Sequence, residues 1–215
     1  MNINMKVALI NGSPKSKQSS SEAILKDLQA CLSKDIEIAN YSFKKSSLTK
    51  EEIETLFDFD ILVFAFPLYV DGVPSHLLSC LCQIEEEAKN IKDKSITVYA
   101  LVNCGFYEGH QNKWAINIMK NWCVKAGFKW GQGIGIGCGG ALAAMSSIPL
   151  GKGPKSSMGI IFKSLADNIH TESQTDDVLF SLNFPRFMYK LMAELGWRQT
   201  IKKNGLKVRD LSRKL

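Results

Sequence analysis

Apolar residues follow two rhythms along the 215-residue chain. Short unbroken runs such as Val7-Ala8-Leu9-Ile10 and Ile61-Leu62-Val63-Phe64 alternate with longer segments whose apolar positions recur every three or four residues. The first rhythm belongs to strands buried on both faces, the second to amphipathic helices. The pattern predicts strands at residues 6–11, 36–41, 61–66, 96–102 and 130–138. It predicts helices at residues 20–33, 74–88, 112–126 and 155–169, and a short helix ending at Leu56, which Thr49 and Glu52 open as a capping box. Pro74 suits the first helical position of its helix. Strands alternating with helices imply βαβ units, hence an α/β fold with a doubly wound, five-stranded parallel sheet. In such a sheet a ligand lies beyond the carboxyl ends of the strands, so the loops after strands one, three, four and five carry the chemistry.

The first of these loops holds the strongest signal. Asn11, Gly12, Ser13 and Pro14 break the first strand, and Ser19, Ser20 and Ser21 then offer hydroxyls and an N-cap ahead of Glu22. A helix N-terminus presents unpaired N–H groups and a partial positive charge, which favour an anionic phosphate. Lys15 and Lys17 add charge, and no acid occurs before Glu22. After strand three comes Pro67-Leu68-Tyr69-Val70-Asp71-Gly72, an apolar and aromatic loop where loops normally face water. After strand four comes Asn103-Cys104-Gly105-Phe106-Tyr107-Glu108-Gly109-His110, in which Gly105 and Gly109 permit close approach of a ligand and two rings offer flat surface. Together the three loops describe a site for a phosphate that carries a planar ring.

Composition narrows the setting. With 45% hydrophobic and 22% charged residues, the chain is that of a soluble globular protein, and no signal peptide is visible. The uncharged stretch 131–151 is too polar and glycine-rich to enter a membrane. A cytoplasmic location is expected. The six cysteines contain no Cys-x-x-Cys and the three histidines are scattered, so neither a metal site nor an iron–sulfur cluster is expected. The net charge of +6 is uneven: residues 183–215 hold nine Lys/Arg against two acids, and residues 1–182 hold eighteen against nineteen.

The segments INGSPKSKQSSSEAIL, FPLYVDGVPSHLLSCL and VNCGFYEGHQN resemble the flavodoxin-fold NAD(P)H-dependent FMN reductases, in particular the clostridial-type NAD(P)H dehydrogenase-like flavoproteins. The resemblance covers most of residues 5–170. It implies strand order 2-1-3-4-5 and non-covalently bound FMN, with NADPH or NADH as co-substrate. By position, Ser13, Lys15, Ser19, Ser20 and Ser21 would hold the phosphate. Pro67, Leu68, Tyr69 and Val70 would line one edge of the isoalloxazine, and Asn103, Cys104, Gly105 and Phe106 would reach its pyrimidine side. The cysteine cluster of the iron–sulfur branch is absent, and Lys15 stands where many members have Arg, which keeps the charge without the bidentate fork.

What this implies is an FMN-dependent oxidoreductase that passes electrons from NAD(P)H to a small acceptor: a flavin, quinone, nitro or azo compound. The flavin would carry the chemistry, so no catalytic side chain is assigned. The alternative is a flavodoxin-like single-electron carrier for protein partners, although such carriers are typically shorter and strongly acidic. The resemblance further implies a homodimer; nucleic acid and membrane are not expected partners. Residues 1–182 would form the FMN-binding domain and residues 183–215 a basic, amphipathic C-terminal extension. Its stripe of Phe184, Phe187, Met188, Leu191, Met192 and Leu195 is expected to pack on protein, with Arg186, Lys190, Arg198, Lys202 and Lys203 on a partner face. That charge could also attract the phosphates of NADPH.

Three further features have plainer readings. Gly135-Ile136-Gly137-Cys138-Gly139-Gly140 matches the dinucleotide fingerprint but falls at the fifth strand, so it reads as a strand needing close packing and ending in a loop that borders the ring. His110 reads as an exposed loop residue, with proton donation or contact with an acceptor as the alternative. Tyr69 either stacks on the ring or seals its loop.

Overall fold

The computed structural model describes residues 5–91 and 95–212. Its strands are β1 (Lys6–Asn11), β2 (Glu37–Ser42), β3 (Ile61–Pro67), β4 (Thr97–Asn103), β5 (Lys129–Gly137) and β6 (Val178–Ser181). They form one parallel sheet in the order β2-β1-β3-β4-β5-β6. The central strands β3 and β4 are buried almost throughout, as runs apolar on both faces require.

The sheet therefore has six strands, not the expected five. β6 is four residues long and only half-buried, so it lacks the continuous apolar run of a central strand. Asp177 holds it in place. One carboxylate oxygen of Asp177 accepts from the Gly133 N–H (2.9 Å) and from Trp130 Nε1 (3.1 Å), and the other pairs with Lys120 (2.6 Å).

The helices are α1 (Ser20–Gln29), α2 (Lys50–Leu56), α3 (Ser75–Ala88), α4 (Lys113–Ala126), α5 (Ser156–His170) and α6 (Arg186–Lys203). Ser19 caps α1, accepting from the Glu22 N–H at 3.0 Å, and the helix ends four residues earlier than expected. Thr49 and Glu52 form the capping box of α2. Pro74 is the residue before α3, with extended backbone (ψ 136°), rather than its first helical residue. Gly127 ends α4 in the left-handed conformation (φ 73°) that glycine adopts without cost.

The even-numbered side chains of β1, β3 and β4, among them Ile10, Phe64, Phe66 and Val102, pack against Leu77, Leu81 and Ile84 of α3 and Ile116, Met119 and Trp122 of α4. Trp122 meets Phe64 edge-on (centroids 5.6 Å apart) and donates its indole N–H to the Leu81 carbonyl at 2.8 Å, so its one polar atom is satisfied inside the core.

Contacts divide the chain into two units, residues 1–182 and 183–215. In the second, α6 begins after Phe184, which leaves that residue outside the helix. At about 100° per residue, Phe187, Met188, Leu191, Met192 and Leu195 share one arc. The basic residues do not gather opposite it: Arg198 and Lys202 continue the same arc, Lys203 borders it, and only Arg186 lies on the far side, with Lys190 between. The expected separate basic face is not formed. Among the described residues, no helix is long and apolar enough to cross a membrane.

Candidate functional site

Three strand ends converge on one cavity of about 180 Å³. From the loop after β1 and the start of α1 come Ser13, Lys15, Ser20 and Ser21; from the end of β3 and its loop, Pro67, Leu68 and Tyr69; from the end of β4, Asn103 and Gly105. These are nine of the thirteen residues singled out in the sequence. The tenth lining residue, Gly140, belongs to the loop after β5 that the sequence places beside the ring.

The serine end is tightly wired. Asn11 Oδ1 accepts from the Ser13 N–H (3.0 Å), and Ser13 Oγ accepts from the Lys15 N–H (3.4 Å). Buried Asn103 donates its side-chain amide to Ser21 Oγ and to the Phe66 carbonyl, both at 3.0 Å, tying α1, β3 and β4 together. Because Ser13 Oγ and Ser21 Oγ accept these bonds, their hydroxyl protons remain for a ligand. The Ser20 and Ser21 N–H groups stand in the first turn of α1, where no intrahelical carbonyl reaches them. With the Lys15 ammonium, this donor set suits an anion.

The apolar end is built differently. Tyr69 and Gly72 exchange backbone hydrogen bonds (3.1 and 3.0 Å) around Val70 (φ 47°) and Asp71 (φ 57°), a type I′ turn. A β-branched residue in that region is strained, and Val70 is fully exposed. Tyr69 is half-exposed.

Four of the thirteen residues do not line the cavity. Ser19 Oγ is engaged as the α1 cap and by Asn11 Nδ2 (3.3 Å). Val70 sits at the turn tip, and Phe106 is more than half-exposed beyond the cavity rim. Cys104 follows Asn103 by one residue and so turns away from the cavity, where its sulfur lies near the carbonyls of Phe106, Glu108 and Ile136 and receives Asn112 Nδ2 at 3.5 Å. Burial pushes the Cys104 thiol up, so it is no thiolate nucleophile. His110 is exposed and lies outside the lining.

The glycine run of β5 serves packing. A Cβ at Gly137 would collide with the Tyr107 carbonyl, and one at Gly109 with the backbone of Phe180, so the loop after β4 is clamped between β5 and β6. Gly109 therefore serves strand contact rather than ligand approach. At Gly105 a Cβ would meet nothing within 4 Å. Beyond β5, Gly139 N–H donates to the Cys104 carbonyl (2.7 Å), which brings Gly140 over the cavity. Buried Lys155 fastens the far end of this loop, bonding Asp27 of α1 (2.6 Å) and the Ile148 carbonyl (3.1 Å). Among the described residues, no group of three or more His, Cys, Asp or Glu is arranged to hold a metal.

Neither a family model nor a curated sequence matches the chain. Solved structures do. A WrbA-like flavodoxin from Agrobacterium tumefaciens superposes with a TM-score of 0.53 at 9% identity, over 78% of this chain and 98% of that one. The NAD(P)H:quinone oxidoreductase of Methanothermobacter marburgensis gives 0.55 at 15% identity, over 75% and 96%. A protein from P. pentosaceus described as an NADPH-quinone reductase gives 0.53 at 10%, over 75% and 97%. The fold is flavodoxin-like. In a flavodoxin-like sheet the order reverses between β1 and β3, and the cavity lies at that switch point, beyond the carboxyl ends.

Proposed function

We propose that the chain is an FMN-dependent oxidoreductase of the NAD(P)H dehydrogenase-like type, taking hydride from NADPH or NADH and reducing a small acceptor such as a quinone, flavin, nitro or azo compound. One observation carries this: a single cavity joins an anion-binding end to an apolar, aromatic end at the switch point of a flavodoxin-like sheet. Neighbours described as quinone reductases support a quinone as the first acceptor to try.

The residues fit FMN. Ser13, Ser20, Ser21 and Lys15 supply hydroxyl, amide and ammonium donors for its phosphate, and Pro67, Leu68 and Tyr69 supply an apolar wall for its ring. Open space at Gly105 leaves room beside the end of β4. At about 180 Å³ the cavity is smaller than the ~300–1,000 Å³ of typical ligand pockets, so a ligand of this size extends past its walls. That leaves part of the ring accessible to a second substrate. FMN, when bound, supplies the electron chemistry; the chain binds it, orients it and shields one side. Exposed Leu78 on α3 and Trp114 and Ile118 on α4 favour self-association, and a cytoplasmic homodimer is the setting we infer.

The test is direct. The purified protein, reconstituted with FMN and freed of excess, is expected to be yellow and to bleach rapidly on anaerobic mixing with NADPH or NADH. Rapid bleaching followed by reoxidation with a quinone supports the reductase. Retained flavin that bleaches only sluggishly supports the electron carrier, and failure to retain any flavin overturns both.

A further inference from the structure

A second, larger cavity of about 390 Å³ adjoins the first across Lys15, between α1, the 15–17 loop and the carboxyl half of β2. Lys15, Lys26 and Lys44 line it against a single carboxylate, Glu22. Glu22, paired with Lys26 at 2.9 Å, offsets only one of these three positive charges, which leaves the cavity lining net cationic. The hydrogen bond from Lys26, aided by the charges of Lys26 and Lys44, holds the Glu22 carboxyl below the usual carboxylate range, so this balance persists at neutral pH. Lys44 Nζ reaches back to the Ser16 carbonyl at 3.4 Å, which places its ammonium beside the 15–17 loop.

The remaining walls are those a nucleotide needs. Leu25 and Tyr41 give apolar surface, and Ser16, Ser42 and Asn40 give short polar groups. β2 is an edge strand. Glu37 N–H and Phe43 N–H donate towards β1, so the backbone N–H and C=O of Asn40 and Ser42 point outward, away from the sheet. Compact ammonium charges suit a dianionic phosphate monoester, while an edge backbone suits a base with donors and acceptors. NADPH differs from NADH by one such monoester on its adenosine.

We propose that this cavity receives the phosphorylated adenosine end of NADPH, with Lys26 and Lys44 facing the 2′-phosphate. The inference rests on reading the neighbouring cavity as the flavin site, and it makes NADPH the preferred reductant. Lys15 is the shared wall, so both ligands draw on one cationic seam.

The binding test needs no flavin. Full-length protein is titrated calorimetrically with 2′,5′-ADP, 5′-AMP and inorganic phosphate. 2′,5′-ADP is expected to bind about tenfold more tightly than 5′-AMP, as a charge-assisted contact to one extra phosphate allows. The K26Q/K44Q double variant should lose that preference with an unchanged circular dichroism spectrum, and E22Q should strengthen it. Equal binding of the two nucleotides overturns the proposal. So does inorganic phosphate that competes as well as 2′,5′-ADP, because the site would then serve free phosphate. In steady state, K26Q/K44Q should raise KM for NADPH about tenfold, by the same contact, and leave KM for NADH and flavin content alone. Equal effects on both reductants also overturn it. A protein that prefers 2′,5′-ADP yet never retains flavin would keep a nucleotide site here but lose the oxidoreductase reading, and with it NADPH as reductant, which overturns the proposal as stated.

Discussion

The two ends of the cavity are held by opposite means. At the serine end, Asn11, Ser13, Ser19 and Ser21 are fixed by several hydrogen bonds, and buried Asn103 ties the helix to two strands. At the apolar end, Tyr69 rides on a two-residue turn whose tip, Val70, is both strained and exposed. The first end has its donors aimed before any ligand arrives, so binding there loses little ordering entropy. The second is stabilised by two backbone bonds and stores strain, so it is the end that yields to ligands of different shape. A site that must keep one anion and accept varied partners gains from that division.

The largest expected effect strikes the loop after β4, which brings Gly105 to the cavity. Gly137→Ala would drive a Cβ into the Tyr107 carbonyl and spread the clamp on the loop after β4. Overpacking of this kind should destabilise the fold by about 3 kcal/mol, read by urea denaturation, and should loosen FMN more than inorganic phosphate. A loss below about 1 kcal/mol would mean that the loop shifts freely and contributes no rigidity. Asn103→Ala comes next. It removes a buried donor from both Ser21 Oγ and the Phe66 carbonyl, for an expected loss of about 2 kcal/mol. Since Asn103 links the two ends, its loss should weaken FMN and inorganic phosphate alike.

The same contrast explains what the sequence discloses. The serine end is written in neighbouring residues: Ser19 and Glu22 are three apart, as are Thr49 and Glu52 of the capping box, so short-range rules find them. Strands β1, β3 and β4 show because their apolar runs, such as 61–66, are buried on both faces. β6 does not, because Asp177 anchors it to Gly133 and Trp130 across more than forty residues. Period-two alternation puts Asn103 at the cavity and Cys104 behind it, a distinction that a loop read as one block erases. Val70-Asp71 is not the Asn-Gly pair that announces a type I′ turn, so the tip and the outward side chain of Val70 had no local signal. Gly140 reaches the cavity only because Gly139 crosses to Cys104 and Lys155 fastens the loop.

Ser19→Ala sharpens the comparison with a smaller effect. The hydroxyl caps α1 and receives Asn11, and its loss should cost about 1 kcal/mol of stability while leaving most phosphate donors in place. FMN affinity falling more than tenfold would return Ser19 to the set of direct phosphate ligands.

Val70→Asn should give the smallest change, and of opposite sign. Asparagine tolerates the left-handed backbone that strains valine, and the fully exposed Val70 side chain gives up no packing when replaced. Stability should rise by about 0.5–1 kcal/mol, measured as a higher urea midpoint at unchanged slope. If the strain serves to keep the Tyr69 turn adaptable, relaxing it should leave FMN binding intact and narrow the range of acceptors reduced. A variant that gains stability and keeps the full acceptor range would show the turn to be a passive connector. In that case the difference between the two ends lies in Tyr69 and Gly105 themselves, not in the backbone that carries them.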